Sequence, residues 1–182
     1  SHFHIINMEG YMFIQFSSEA QRILKRSKLE MQKFPHSFIG SEHVVLSILN
    51  NANHFLPKLL DYGINYQLFY DELLKKVGMG KSNNDYFVYP PLLKRDLENT
   101  IIEAHEKGKE CIEIEDIFLS ILDEGEGVAN RILNSLGINL DNLYEELNAY
   151  HHKKVSKKML INENKDSNKY YIKEKENELK YS

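Results

Sequence analysis

A chain of 182 residues, 42% hydrophobic and 27% charged, is long enough for one domain with a sizeable core. Its formal net charge of −4 argues against a nucleic-acid binder, which usually carries a strongly basic surface, and no apolar run reaches the roughly 20 residues that span a bilayer. The single cysteine, Cys111, excludes an intrachain disulfide and suits a reducing compartment.

Residues 1–15 read as an N-terminal extension. Ser17 or Ser18 can cap a first helix with Glu19 in its first turn, and Ala20, Ile23, Leu24, Ser27 and Met31 then follow helical spacing. Phe34-Pro35-His36 ends it, because a residue before proline is pushed out of the helical region. Ser41 can cap a second, very apolar helix carrying Val44, Val45, Leu46, Ile48 and Leu49. Phe55, Leu56, Leu59 and Leu60 mark a third. Gly63 suits the left-handed residue after it, and Asn65 caps a fourth in which Leu68, Phe69, Leu73 and Leu74 face inward. The segment 78–89 reads as a flexible linker. After Pro90-Pro91, a stripe of Leu93, Leu97, Ile101 and Ala104 opens a second series. Ile117, Phe118, Leu119, Ile121 and Leu122 give its second helix; Val128, Ala129, Ile132 and Leu133 give its third; Gly137 and Asn139 repeat the stop and restart. The tail 151–182, rich in Lys, Asn and Glu, reads as a linker or a lone solvated helix.

The second series is a copy of the first. VVLSIL at 44–49 returns as IFLSIL at 117–122, 73 residues later, and GIN at 63–65 returns at 137–139, 74 residues later. Repeat 1 therefore covers 16–77 and repeat 2 covers 90–150. The expected fold is all-α, a tandem duplication of a four-helix repeat packed with pseudo-twofold symmetry, since a single copy has too small a core.

Catalytic signatures are incomplete. Gly80-Lys81-Ser82 lacks the glycine of a phosphate-binding loop, because Lys75 stands at that position with no strand before it. His105-Glu106 begins like a zinc-binding helix, but Lys109 occupies the second histidine position. Cys111 aligns with Phe38 of the first copy and reads as a buried apolar residue. Phe16, Phe87 and Tyr89 are weak candidates for an exposed binding surface, with core packing the commoner role. The reading is of no catalytic residues, no metal ligands and no cofactor site in this chain.

Gly40-Ser41-Glu42-His43-Val44-Val45-Leu46 and Asp123-Glu124-Gly125-Glu126-Gly127-Val128-Ala129 resemble two motifs of the double-repeat N-terminal domain of Clp-family AAA+ unfoldases, and the second is most similar to the ClpC subgroup. Phe16-Ser17-Ser18-Glu19-Ala20 resembles the family's opening. The resemblance implies a non-catalytic domain that docks protein substrates and adaptors. It would precede motor modules that use ATP and Mg and feed a Clp protease core. The alternative it leaves is a stand-alone accessory subunit bracing that core. It also implies a phosphoarginine-type pocket at Ser41 and Glu42, with Glu115 as the counterpart in the second copy. There Glu113 and Ile114 replace the glycine and the hydroxyl, which weakens the second pocket. The resemblance and the Lys- and Asn-rich composition suggest the stroma of a plastid-type organelle such as an apicoplast, or a bacterial cytoplasm, with no nucleic-acid or membrane partner.

Overall fold

The computed structural model describes residues 15–80, 91–154 and 157, and helices dominate them. Helix α1 (Ser18–Lys33) is capped by Ser17, whose hydroxyl accepts the Ala20 N–H at 3.0 Å. Its apolar stripe is buried as the spacing predicts. Helix α2 (Ser41–Asn50) is buried at every residue from Ser41 to Leu49, so it has no solvent face and no strong period. Short α3 (Leu56–Asp61) and α4 (Tyr66–Lys76) follow, joined through Gly63 at φ +77° and the Asn65 side chain, which accepts the Leu68 N–H at 2.9 Å.

The second copy supplies α5 (Pro91–Glu106), α6 (Ile114–Glu124) and α7 (Val128–Ser135), and the chain is helical again from residue 140. The chain divides into two units, 1–144 and 145–182; in the second, residues 145–154 are helical.

The duplication extends to buried hydrogen bonds. Ser27 and Ser47 both donate to the Ile23 carbonyl, at 3.0 and 2.7 Å, and so clip α1 to α2. At the aligned positions, Thr100 donates to the Asp96 carbonyl at 2.7 Å and its oxygen accepts from Ser120, 2.8 Å away, clipping α5 to α6. Asn53 and Asn130 each donate 2.8 Å bonds to the aligned carbonyls of Ile48 and Ile121. Repeat 1 adds its own polar hub: buried Glu30 accepts from Asn50, Tyr66 and Lys33, tying α1 to α2 and α4.

The copies meet along a seam in which α2 packs on α6 and α7, α1 on α6, and α4 on α7. Phe55 of repeat 1 meets Phe118 of repeat 2 edge-on, with ring centroids 5.5 Å apart.

The structure departs from the sequence reading in several places. Gly40, not Ser41, precedes α2 as its cap residue. Leu60, Leu68 and Leu74 are exposed, because six-residue α3 buries Leu59 alone and α4 buries only the i, i+4 pair Phe69 and Leu73. A two-residue parallel pairing was not foreseen: β1 (Gln15–Phe16) runs beside β2 (Cys111–Ile112), so the start of repeat 1 is stitched into repeat 2. Phe16 is consequently core, and Cys111 is half-buried where full burial was expected. Phe87 and Tyr89 lie outside the described residues. So does most of the linker, although its first residues are docked on repeat 1: the Gly80 N–H donates to the Phe34 carbonyl at 2.6 Å.

Two leucines on one helix therefore separate packing from pattern. Leu73→Ala should cost about 2–5 kcal/mol in chemical denaturation, and Leu68→Ala under about 0.5 kcal/mol. Equal losses would contradict the packing of α4.

Candidate functional site

The expected site residues sit at two helix N-termini on the seam. Ser41 and Glu42 begin α2, and Glu115 lies in the first turn of α6. The structure brings Ser41 and Glu42 together, and it places Glu115 at the pseudo-equivalent point of the other copy. Each N-terminus faces the start of the third helix of the opposite repeat. Ser41 Oγ accepts the Ala129 N–H of α7 at 3.2 Å, a contact between residues 88 apart in sequence. Gly127 explains why this approach is possible. Its φ of +95° suits glycine, and a Cβ there would lie 3.3 Å from Ser41 Oγ and 3.1 Å from Leu92 Cδ2. Val128-Ala129 and Gly40-Ser41, distant in sequence, thus belong to one constellation.

Glu42 folds back over Gly40, where a Cβ would stand 2.3 Å from its Oε1. Its carboxylate accepts its own backbone N–H and is 9% exposed. Burial pushes the Glu42 carboxyl up to about 7, opposed by that N–H and by the charge of Arg131. His43 Nδ1 lies 3.3 Å from Glu42 Oε1, but the pair is not an ion pair. The Gly40 N–H donates to His43 Nδ1 at 2.9 Å, and burial, the largest cause, holds His43 down to about 3. Neutral His43 can then donate through Nε2 to His36 Nδ1 at 3.0 Å, while His36 Nε2 donates to the Gly78 carbonyl at 2.8 Å, a tautomer assignment that follows from the partners. This chain fixes the α2 N-terminus to the first linker residue. His36 also stacks on Phe34, with centroids 5.1 Å apart.

The second N-terminus is built differently. Glu113 stands where repeat 1 has Gly40, so the space that Glu42 uses is filled and Glu115 reaches instead to repeat 1. Its Oε1 lies 2.6 Å from His54 Nε2, while His54 Nδ1 contacts Glu19 of α1. Burial would lower the His54 pKa, but Glu115 and Glu19 outweigh it and raise the pKa above the ordinary value.

The chemistry of the two points differs accordingly. At α2, a desolvated carboxyl is poised to gain from a guanidinium or ammonium group brought by a ligand. The anion half of the expected pocket is already engaged, because the Ser41 oxygen takes the Ala129 N–H and the Glu42 carboxylate takes its own. At α6, Glu115 faces the His54 imidazole, whose protonated form it favours. Sequence reasoning did not bring His54, Arg131 or Glu19 to these points, which they reach from elsewhere in the chain, and it read Glu113 only as the replacement of a glycine. The glycine-rich Glu124–Gly127 segment was the one available signal that backbone comes close there.

The profile of the Clp repeat (R) N-terminal domain matches residues 93–168. The chain is 32% identical over 137 residues to the chaperone protein ClpB of Oceanobacillus iheyensis, covering 75% of this chain and 17% of that protein. It is 32% identical over 134 residues to chloroplastic ClpC1 of Oryza sativa subsp. japonica, covering 72% and 15%. The chain thus spans about a sixth of the length of these relatives. Among solved structures, the N-terminal domain of the caseinolytic protease associated chaperone ClpD from Arabidopsis thaliana superposes with a TM-score of 0.61 at 18% identity, over 74% of this chain and 96% of that one. The N-domain of ClpV in complex with a VipB peptide superposes with a TM-score of 0.56 at 17% identity, over 71% and 82%.

Glu42 also makes stability depend on pH. Its folded-state pKa is raised above the ordinary 4.5, so the folded chain keeps the proton longer than the unfolded chain. The protonated form's stability is fully present below about 4.5 and is lost as pH rises through about 7. Glu42→Gln should therefore gain stability over the native chain between pH 5 and 8, by about 3 kcal/mol at most. Denaturation midpoints across that range measure it, and parallel pH profiles for the two chains would refute the assignment.

Proposed function

Because the chain belongs to the Clp N-terminal repeat family, we propose that it is the substrate- and adaptor-docking N-terminal domain of a ClpC-type ATP-dependent protein unfoldase. The observation that carries the reading is the meeting of Gly40–His43 with Gly127–Ala129 on the seam, since those segments carry the ClpC-like motifs. The relatives extend far beyond the matched region, which supports a longer protein with ATP- and Mg-dependent motor modules. The ClpV N-domain's peptide complex supports a non-catalytic role in binding protein segments. Unfolded or tagged substrates and an adaptor are the partners of this domain, and a Clp protease core is reached through the whole protein. A chloroplastic and a bacterial relative support a plastid-type stroma or a bacterial cytoplasm.

Within this reading, Glu42 takes a basic group of the docked chain and Ser41 lies beside it. For a phosphoarginine ligand, the phosphate must displace the Glu42 carboxylate from the α2 N-terminus. Glu115, already paired with His54, serves the weaker second point.

Calorimetry with a phosphoarginine peptide and its unphosphorylated twin tests the pocket. Glu42→Ala should weaken binding at least about tenfold, the loss expected of one charge-assisted pair. Unchanged affinity would remove Ser41 and Glu42 from the site. A pull-down that retrieves neither substrates nor an adaptor, and only protease-core subunits, would overturn the docking role.

A further inference from the structure

We propose that His54, Glu113 and Glu115 form a binding site for a borderline divalent metal ion of the Zn²⁺ class, assembled across the seam from both repeats. One ligand atom from each of the three lies within 4.8 Å of the other two. A tetrahedral Zn²⁺ with bonds near 2.0 Å holds its donors about 3.3 Å apart, so the cluster needs only a small closure. His54 Nε2 and Glu115 Oε1 are 2.6 Å apart, and a metal ion bound by both would need the two donors to part slightly.

The surroundings are those of a ligand set already oriented. The far nitrogen of His54, Nδ1, rests on the Glu19 carboxylate. Metal-binding histidines usually carry such a carboxylate, which fixes the ring and leaves the other nitrogen for the metal. Glu115 is 3% exposed and held at the base of the cluster. The backbone N–H of Glu113 donates to Asp116 at 2.8 Å, and Lys109 in turn holds Asp116 at 2.7 Å, so the residue that starts α6 is anchored. The His54 side chain is 35% exposed, which gives the ion a path from solvent.

Charge and donor type set the metal class. Two carboxylates and a neutral imidazole balance a dication, with Glu19 adding negative charge behind the ring. The positive end of α6 opposes a cation, and three carboxylates face it. One nitrogen donor favours Zn²⁺ and its neighbours over Mg²⁺ and Ca²⁺, which prefer oxygen alone. Three protein ligands leave a fourth position for water or for a donor from a partner. His54 belongs to repeat 1 and the glutamates to repeat 2, so the ion would clip the two copies together. The proposal does not rest on the docking role: either can fail alone.

The test is calorimetric titration of the metal-stripped 182-residue chain with Zn²⁺, with Mg²⁺ and Ca²⁺ as controls, alongside the ring ¹⁵N signals of its histidines. One Zn²⁺ site is expected, with a rise in Tm that a chelator reverses and a shift of His54 Nε2. His54→Ala and Glu113→Gln should each weaken it at least about tenfold, and Glu19→Gln by roughly 10–100-fold, with circular dichroism unchanged. Absence of binding at millimolar Zn²⁺, or binding that His54→Ala leaves intact, overturns the proposal. If that variant does not fold, the His54 ring signal of the native chain decides: movement on adding Zn²⁺ supports the site, and an unmoved signal overturns it.

Discussion

The structure depends on the burial of two helix N-termini against the opposite repeat. α2 is enclosed at every residue from Ser41 to Leu49, and α6 is buried along most of its length. Helix α2 is not covered by its own copy alone, because the third and fourth helices of repeat 1 are short and bury only Leu59, Phe69 and Leu73. The remaining cover comes from the other repeat, through α6 and α7 for α2, and through α1 and α2 for α6. The two copies therefore have to fold as one core, and the short β1–β2 pairing reinforces this by placing the start of one in the middle of the other.

A buried helix start creates a polar problem that the two copies solve with different side chains. Orphan N–H groups at the beginning of a helix must find acceptors. At α2 the acceptors are Glu42 itself, folded into the space over Gly40, and His43, which takes the Gly40 N–H. At α6 Asp116 takes the Glu113 N–H and is steadied by Lys109. Glu115 is thereby free of that task and turns across the seam to His54. One change of backbone neighbour, glycine at 40 against glutamate at 113, thus separates a desolvated carboxyl held by its own backbone N–H from one held by an imidazole.

Much of the scaffold was legible in the sequence, because its determinants are local or periodic. The Ser17 and Asn65 caps, the stop at Gly63, and the buried stripe of α5 follow from residue type and spacing. The exposed Leu60, Leu68 and Leu74 were misread because apolar identity says nothing about how narrow a packing face is when the helix is short. The β1–β2 pair was invisible because two residues form no pattern. At the sites, Glu42 and Glu115 could be named from the aligned motifs, whereas Arg131, Glu19 and His54 could not. Their proximity is a product of the seam, and the seam joins positions without sequence register to one another.

The same logic reaches into the second copy's interior. Position 96 aligns with Ile23, and position 124 with Asn51, so a buried apolar–amide pair in repeat 1 is replaced by two acids in repeat 2. Asp96 is 3% exposed, and its pKa is raised by burial and then by its hydrogen bond to Glu124, with Arg95 opposing. A neutral Asp96 can donate to a Glu124 carboxylate that Arg95 also holds, which lets one proton and one cation accommodate two buried acids. The clip between α5 and α6 is untouched, since Thr100 meets Ser120 of α6 and bonds the backbone carbonyl of residue 96, not its side chain. Because the acceptor that residues 23 and 96 offer is a backbone carbonyl, the side chains at those two positions could diverge while the bonds from Ser27, Ser47 and Thr100 were kept. That freedom is the physical reason one scaffold can present two chemically unlike helix starts.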